Sequence, residues 1–178
     1  MERTRSTTIL AVVKDGKAVM ASDGQVSRGH SIVKHTAAKV RKLYDDKVLV
    51  GFAGSVADAL TLAEKLESYL KEWDGQLVKA AVELTKEWRT DKFLRHLEAS
   101  ILATDGKVLL NISGNGDVLE SDDKVISAIG SGGDYALSAA QALYCHTKLS
   151  ANDIVKHSMK IAGDLCIYTN NNLTIMEL

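Results

Sequence analysis

Twice along this chain a short apolar run stops at glycine and gives way to an amphipathic stretch, and this doubled pattern restricts the possible folds more than any other feature. Val48 to Ala53 is continuously apolar and ends at Gly54-Ser55, while Val125 to Ile129 ends at Gly130-Ser131-Gly132-Gly133. An uninterrupted apolar run of strand length such as Val48 to Ala53 fits a strand buried on both faces, and Val125 to Ile129, broken by Ser127, reads as a buried strand. Each run is preceded by a hairpin signal: Thr8 to Val13 and Ala18 to Ser22 flank Asp15-Gly16, and Ser100 to Thr104 and Lys107 to Ile112 flank Asp105-Gly106. Asp-Gly favours tight hairpin turns.

Beyond the first glycine turn, Val56, Ala59, Leu60, Ala63, Leu66, Tyr69, Leu70 and Trp73 recur at helical spacing, with Ser55 placed to cap them. Gly75 interrupts, and a second amphipathic stretch runs from Gln76 to about Glu98. The loop Ser113 to Asp117 follows the second hairpin. Beyond the second glycine turn the pattern predicts helices over Tyr135 to His146 and Ala151 to Ala162, the latter capped by Ser150, and a last strand at Leu173 to Met176. Each half therefore reads hairpin, strand, glycine turn, two helices. The natural packing is an α+β fold, a four-layer α-β-β-α sandwich with two facing sheets and a helix pair outside each.

A length of 178 residues fits one domain with a sizeable core. With 22 basic against 23 acidic residues, the chain lacks the basic excess of a nucleic-acid binder. Cys145 and Cys166 form neither a disulfide framework nor a zinc spacing, which predicts a reducing compartment. Met1 to Ser6 lead into no signal-type apolar region, and no segment approaches the roughly 18 apolar residues of a membrane span. The expectation is a soluble cytoplasmic protein with no nucleic-acid or membrane partner.

Several residues carry chemistry. Thr7 and Thr8 open the first strand, where threonine is favoured for steric reasons alone, and alternation lets only one of them face a cleft. A threonine hydroxyl needs a base, and a free α-amine on the same residue, with a pKa of roughly 7.7–8.0, supplies one. For Thr7 this requires removal of residues 1 to 6. Asp23 opens an Asp-Gly turn, and Lys39 stands among Lys34, Arg41 and Lys42, so turn chemistry and a solvated lysine are the plain readings of each. Gly51 and Gly54 flank a strand-to-helix turn whose outward N–H groups suit an oxyanion, and close packing is the plain alternative. The 130–133 turn lacks the Gly-Lys-Ser/Thr ending of a nucleotide-binding P-loop. His30, His35, His96, His146 and His157 are scattered and suggest no triad.

In order and spacing, TTIL at 7–10, SDGQV at 22–26, the stretches 39–59 and 77–99, SGNGDVLE at 113–120, AIGSGGDYALSAA at 128–140 and IAGDLCIYTN at 161–170 resemble the HslV (ClpQ) family. These are proteolytic subunits of bacterial ATP-dependent proteases and simple relatives of proteasome β-subunits. The resemblance implies an N-terminal nucleophile (Ntn) hydrolase fold and threonine-type endopeptidase activity. It also implies a propeptide at residues 1–6 and one peptidase domain over 7–178. Thr7 would be the nucleophile, Lys39 and Asp23 a pair beside it, Ser131 a hydrogen-bonding group near its amine, and Gly54 the oxyanion donor. Thr8 would be structural. Carbonyl groups of Gly163, Cys166 and Thr169 would bind a monovalent cation, usually sodium. The implied assembly is a homo-oligomer, a double hexameric ring, fed with unfolded polypeptide by a separate AAA+ ATPase, HslU, with no nucleotide held by this chain.

The chain departs from the family's pattern in its six leading residues and in Asp134, which adds a negative charge beside Ser131 where relatives commonly have Pro or Asn. A start at Ser6 would shift the nucleophile by one position. Two further readings are a ring subunit that stays unprocessed and non-catalytic, and an Ntn amidohydrolase acting on a small amide.

Overall fold

Alternation along the strands sorts the apolar side chains into three separate layers. In a computed structural model describing residues 4–5, 7–92, 94, 99–113, 116–123 and 125–178, the first half of the chain forms β1 (Thr4–Arg5), β2 (Thr8–Lys14), β3 (Lys17–Ser22), β4 (Val26–Arg28), β5 (Ser31–Lys34), β6 (Val40–Leu43), β7 (Val48–Gly54), α1 (Val56–Glu72) and α2 (Leu77–Thr90). The second half forms β8 (Ala99–Thr104), β9 (Leu109–Ser113), β10 (Val118–Glu120), β11 (Ile126–Gly130), α3 (Gly133–His146), α4 (Ala151–Leu165) and β12 (Thr174–Glu177). The main sheets run β10-β9-β8-β7-β6 and β11-β2-β3-β12. A small third sheet, β1-β4-β5, lies apart from both in its pairing.

Val48, Val50 and Phe52 of β7 pack with α1 and α2, whereas Leu49 and Ala53 of the same strand face the other sheet. Likewise Leu10 and Val12 of β2 pack with α3 and α4, while Ile9 and Ala11 join Leu49, Leu102 and Leu109 between the sheets. Both faces of β2 and β7 are covered, which is why their sequences are continuously apolar. This is the expected α-β-β-α sandwich. Among the described residues no helix is long and apolar enough to cross a membrane.

The departures are local. β11 is half-buried at the edge of its sheet, where a strand buried on both faces was expected. On α1 the fully buried positions are Leu62, Leu66 and Leu70, with Ala63 beside them, and Leu60 is 38% exposed. Leu60 lies six residues from Leu66, which turns it well away from the core face, and Leu62 takes the buried position that the spacing had given to Leu60. Ser55 occupies the N-cap position of α1 but makes no side-chain capping bond, whereas Ser150 Oγ accepts from Asp153 N at the start of α4. Helix α2 stops at Thr90 instead of continuing towards Glu98, because Asp91 turns extended. Residues 93 and 95–98 of that expected helix, and Gly114 and Asn115 of the expected loop, lie outside the described residues.

Candidate active site

β2 and β3 pair through six residue positions, from Ile9↔Ser22 to Lys14↔Lys17. This register brings Asp23, just beyond β3, to the head of β2. Asp23 is fully buried, and its carboxylate accepts from Thr8 N at 2.8 Å, Gln25 N at 2.9 Å and Asn170 N at 3.4 Å. The bond from Gln25 N is the turn chemistry of the plain reading, and the bonds from Thr8 N and Asn170 N go beyond it, so that one side chain joins three backbone segments.

Lys39 enters from the start of β6. Its ammonium donates to Asp23 Oδ1 at 2.9 Å and to the Gln25 carbonyl at 2.6 Å, and its side chain is 7% exposed. Burial holds its pKa below the ordinary lysine value, against the upward pull of Asp23. A lysine so enclosed is not a solvated surface residue. A buried ammonium with a fixed carboxylate behind it is a positive charge that cannot move away from its neighbours.

Thr7 precedes β2, is 4% exposed, and lines one pocket with Lys39 and Gly54. The rest of that pocket is mainly apolar and includes Val26, Phe52 and Leu60. Leu60 thus faces the cleft, which explains its absence from the core. Thr8 points the other way, its Oγ1 sharing a 2.7 Å hydrogen bond with Thr169 Oγ1 and accepting from Gly132 N at 2.9 Å. The two threonines divide as strand alternation requires.

The two glycines of the first turn also divide. Gly51 sits within β7, where a Cβ would strike Ile9 and Met20, so it serves sheet-to-sheet packing. Gly54 ends the strand at a φ of 122° and lines the Thr7 pocket. From the second turn, Ser131 N donates to the Thr7 carbonyl at 2.8 Å, while the Ser131 side chain is exposed. Asp134 is exposed in the first turn of α3.

Gly130 makes that approach possible. Its φ is 91°, and a Cβ there would run into the Thr7 carbonyl oxygen. Gly130→Ala is expected to lower the unfolding free energy by about 3 kcal/mol or more, read by chemical denaturation, since backbone strain and a backbone clash combine.

Gly163 lies in the last turn of α4 and Cys166 caps it; the Cys166 carbonyl accepts from Thr169 N at 3.0 Å. The final carbonyls of a helix lack intrahelical donors and carry its negative dipole end. Main-chain carbonyl oxygens are hard donors, the kind of ligand that suits a monovalent cation.

Sequence reasoning passed over Gln25, Asn170 and Gly130 as site residues. Gln25 and Gly130 stood inside motifs already noted, but the groups they meet are distant in sequence. Asn170 likewise closed a stretch already noted, 161–170, with its partners far along the chain.

A threonine at the head of a sandwiched strand, backed by a buried ion pair, defines an Ntn hydrolase in fold and site alike. The profile of the family described as "Proteasome subunit" matches residues 4–178, and the chain belongs to that family, among its HslV members. It is 59% identical to the "ATP-dependent protease subunit HslV" of Sulfurihydrogenibium sp. (strain YO3AOP1), over 100% of this chain and 99% of that one. Identity to the subunit of the same name from Aquifex aeolicus (strain VF5) is 58%, over 98% of each chain. Among solved structures, eukaryotic HslV from Trypanosoma brucei superposes with a TM-score of 0.91 at 43% identity, covering 96% of this chain and 98% of that one. Thiobacillus denitrificans BPH shares the fold at a TM-score of 0.72 and 19% identity, covering 96% of this chain and 97% of that one.

Proposed function

We propose that this chain is the threonine-type proteolytic subunit of an ATP-dependent protease of HslV type. The observation that carries the reading is the placement of Thr7, Lys39 and Gly54 on one pocket, with Asp23 fixed behind Lys39. Removal of residues 1–6 frees the Thr7 amine. Thr7 Oγ1 then attacks the scissile carbonyl carbon while the amine takes the hydroxyl proton. The Gly54 N–H receives the developing oxyanion. Collapse of the tetrahedral intermediate breaks the C–N bond, and the proton passes from the Thr7 ammonium to the leaving amine. Water, deprotonated by the same amine, hydrolyses the ester. Lys39 opposes protonation of the amine and so keeps it a base, and Ser131 holds the Thr7 main chain in place.

The reading extends to assembly. We infer a cytoplasmic double ring of two hexamers that encloses the sites, fed with unfolded polypeptide by a separate AAA+ ATPase of HslU type. A sodium ion on the carbonyls of Gly163, Cys166 and Thr169 would brace the segment after α4. Casein digestion with and without the ATPase, beside a small fluorogenic amide, tests the reading. Digestion of casein that depends on the ATPase supports it, and hydrolysis of the small amide alone overturns it.

The pH profile of peptide hydrolysis provides a second expected result. On the acid side the rate falls as the Thr7 amine gains a proton, at or below its ordinary pKa of roughly 7.7–8.0, because Lys39 already places a positive charge beside it. On the alkaline side the rate falls as Lys39 loses its proton, below the ordinary 10.5, because burial outweighs Asp23. Initial rates between pH 5 and 11 show whether both limbs are present.

A further inference from the structure

Among the described residues the Lys39 ammonium donates to Asp23 and to a main-chain carbonyl in a loop, and that carbonyl needs its own support. That carbonyl belongs to Gln25, 2.6 Å from the ammonium. Gln25 is 3% exposed, and its side-chain amide donates to the Ile167 carbonyl at 2.9 Å and to Ser27 Oγ at 3.0 Å. Its backbone N–H meanwhile donates to Asp23 Oδ2. Ile167 sits just beyond α4, 142 residues along the chain from Gln25. Its own side chain is 80% exposed, so its carbonyl is the part that faces inward.

We propose that the Gln25 side chain is a positioning element for Lys39: anchored on the Ile167 carbonyl and Ser27, it fixes the main-chain oxygen that receives the ammonium. Through it the segment after α4 sets the direction in which Lys39 faces Thr7. The neighbouring contacts act in the same sense, since Asn170 Oδ1 accepts from Gly24 N and Asn170 N donates to Asp23. The 23–25 loop is thus clamped to the 167–170 segment on both sides of the ion pair. Gln25 is not among the residues that line the Thr7 pocket, and its role is exerted through Lys39. The inference rests on the proposed threonine-protease reading of the site.

The test is Gln25→Met, which keeps length and volume but loses both amide donors. Peptide hydrolysis by the assembled protein is measured as kcat and KM across pH, beside wild type and Thr7→Ala. With one acceptor free to turn away, the expected result is a kcat lower by about tenfold, the order of one lost hydrogen bond, with KM changed less than about twofold. The alkaline limb also moves to lower pH, because the ammonium loses a partner that favours its charged form. Among the described residues Asp23 pairs with Lys39 and Arg41 lines the same pocket, and these, like the Thr7 amine, are unchanged in the variant. Gln25→Asn, one methylene short of Ile167 but still polar, is the second variant should Gln25→Met not fold, with the same direction expected. A wild-type kcat and limb, or a lowered kcat with the limb unmoved, overturns the proposal. Absence of Thr7-dependent hydrolysis in wild type instead overturns the reading of the site, and this inference falls with it.

Discussion

Thr7→Ala is expected to leave a folded protein with peptide hydrolysis at least about 10⁴-fold below wild type, since no other group can take over the covalent step. The fold should survive because several contacts that secure the head of the strand are made by other groups. The Thr7 main-chain carbonyl makes the bond to Ser131 N, and the next residue, Thr8, makes the buried hydroxyl contacts to Thr169 and Gly132. These bonds do not use the Thr7 hydroxyl. Thr7→Ser, which keeps an oxygen at the same position, is expected to retain a measurable fraction of the rate. Thermal melts alongside fluorogenic-peptide assays separate lost chemistry from lost structure. A Thr7→Ala protein that melts like wild type but still cleaves peptide would assign the nucleophile elsewhere.

Lys39→Met carries the second largest expected effect, a loss of about 10²–10³-fold in kcat, the scale of one acid–base or electrostatic group. Methionine roughly matches the lysine stem in length, so the apolar wall of the pocket is kept while the charge is removed. Two consequences follow for the site. The Thr7 amine gains a proton more readily, so the acid limb of the profile moves to higher pH. Asp23 is left buried without its cation, though three backbone N–H groups still donate to it. Breaking a buried pair from one side costs about 3–5 kcal/mol, and those remaining donors should keep the cost at the lower end. Asp23→Asn in the Lys39→Met background removes the orphaned charge but sets an amide NH2 against a backbone N–H that the carboxylate had accepted, so only part of the stability and none of the activity should return. If the double variant were active, Lys39 and Asp23 would be structural only.

The layered architecture was legible because it is written in local periodicity. Val48 to Ala53 could be continuously apolar only if both faces of its strand were covered, and β7 contributes to two of the three apolar layers. Asp-Gly turns marked both hairpins, and Ser150 capped α4 as its chemistry suggests. Short exposed strands left no such mark. In β5 all four residues are exposed, so no apolar alternation signals that they pair with β4. The same limit applies to α1, where single-helix spacing could not tell that Leu60 would face a pocket shared with Thr7.

At the site, the resemblance supplied Thr7, Asp23 and Lys39, and the fold brings them together. The residues that hold them were hidden for a physical reason: their partners lie far along the chain. Asn170 meets Asp23 across 147 residues and Gln25 meets Ile167 across 142, and no motif spans such distances. Gly130 was noted as part of a turn, but only the approach of the Thr7 carbonyl shows why that position must be glycine.

The most direct test of the account is the intact mass and N-terminal sequence of the purified protein, set beside Thr7→Ala. In the structure Thr4 and Arg5 pair with Arg28 and Ser27, in the small third sheet. The account predicts a wild-type chain that begins at Thr7 and a variant that keeps residues 1–6. A wild-type chain that hydrolyses peptide while retaining those six residues would contradict it.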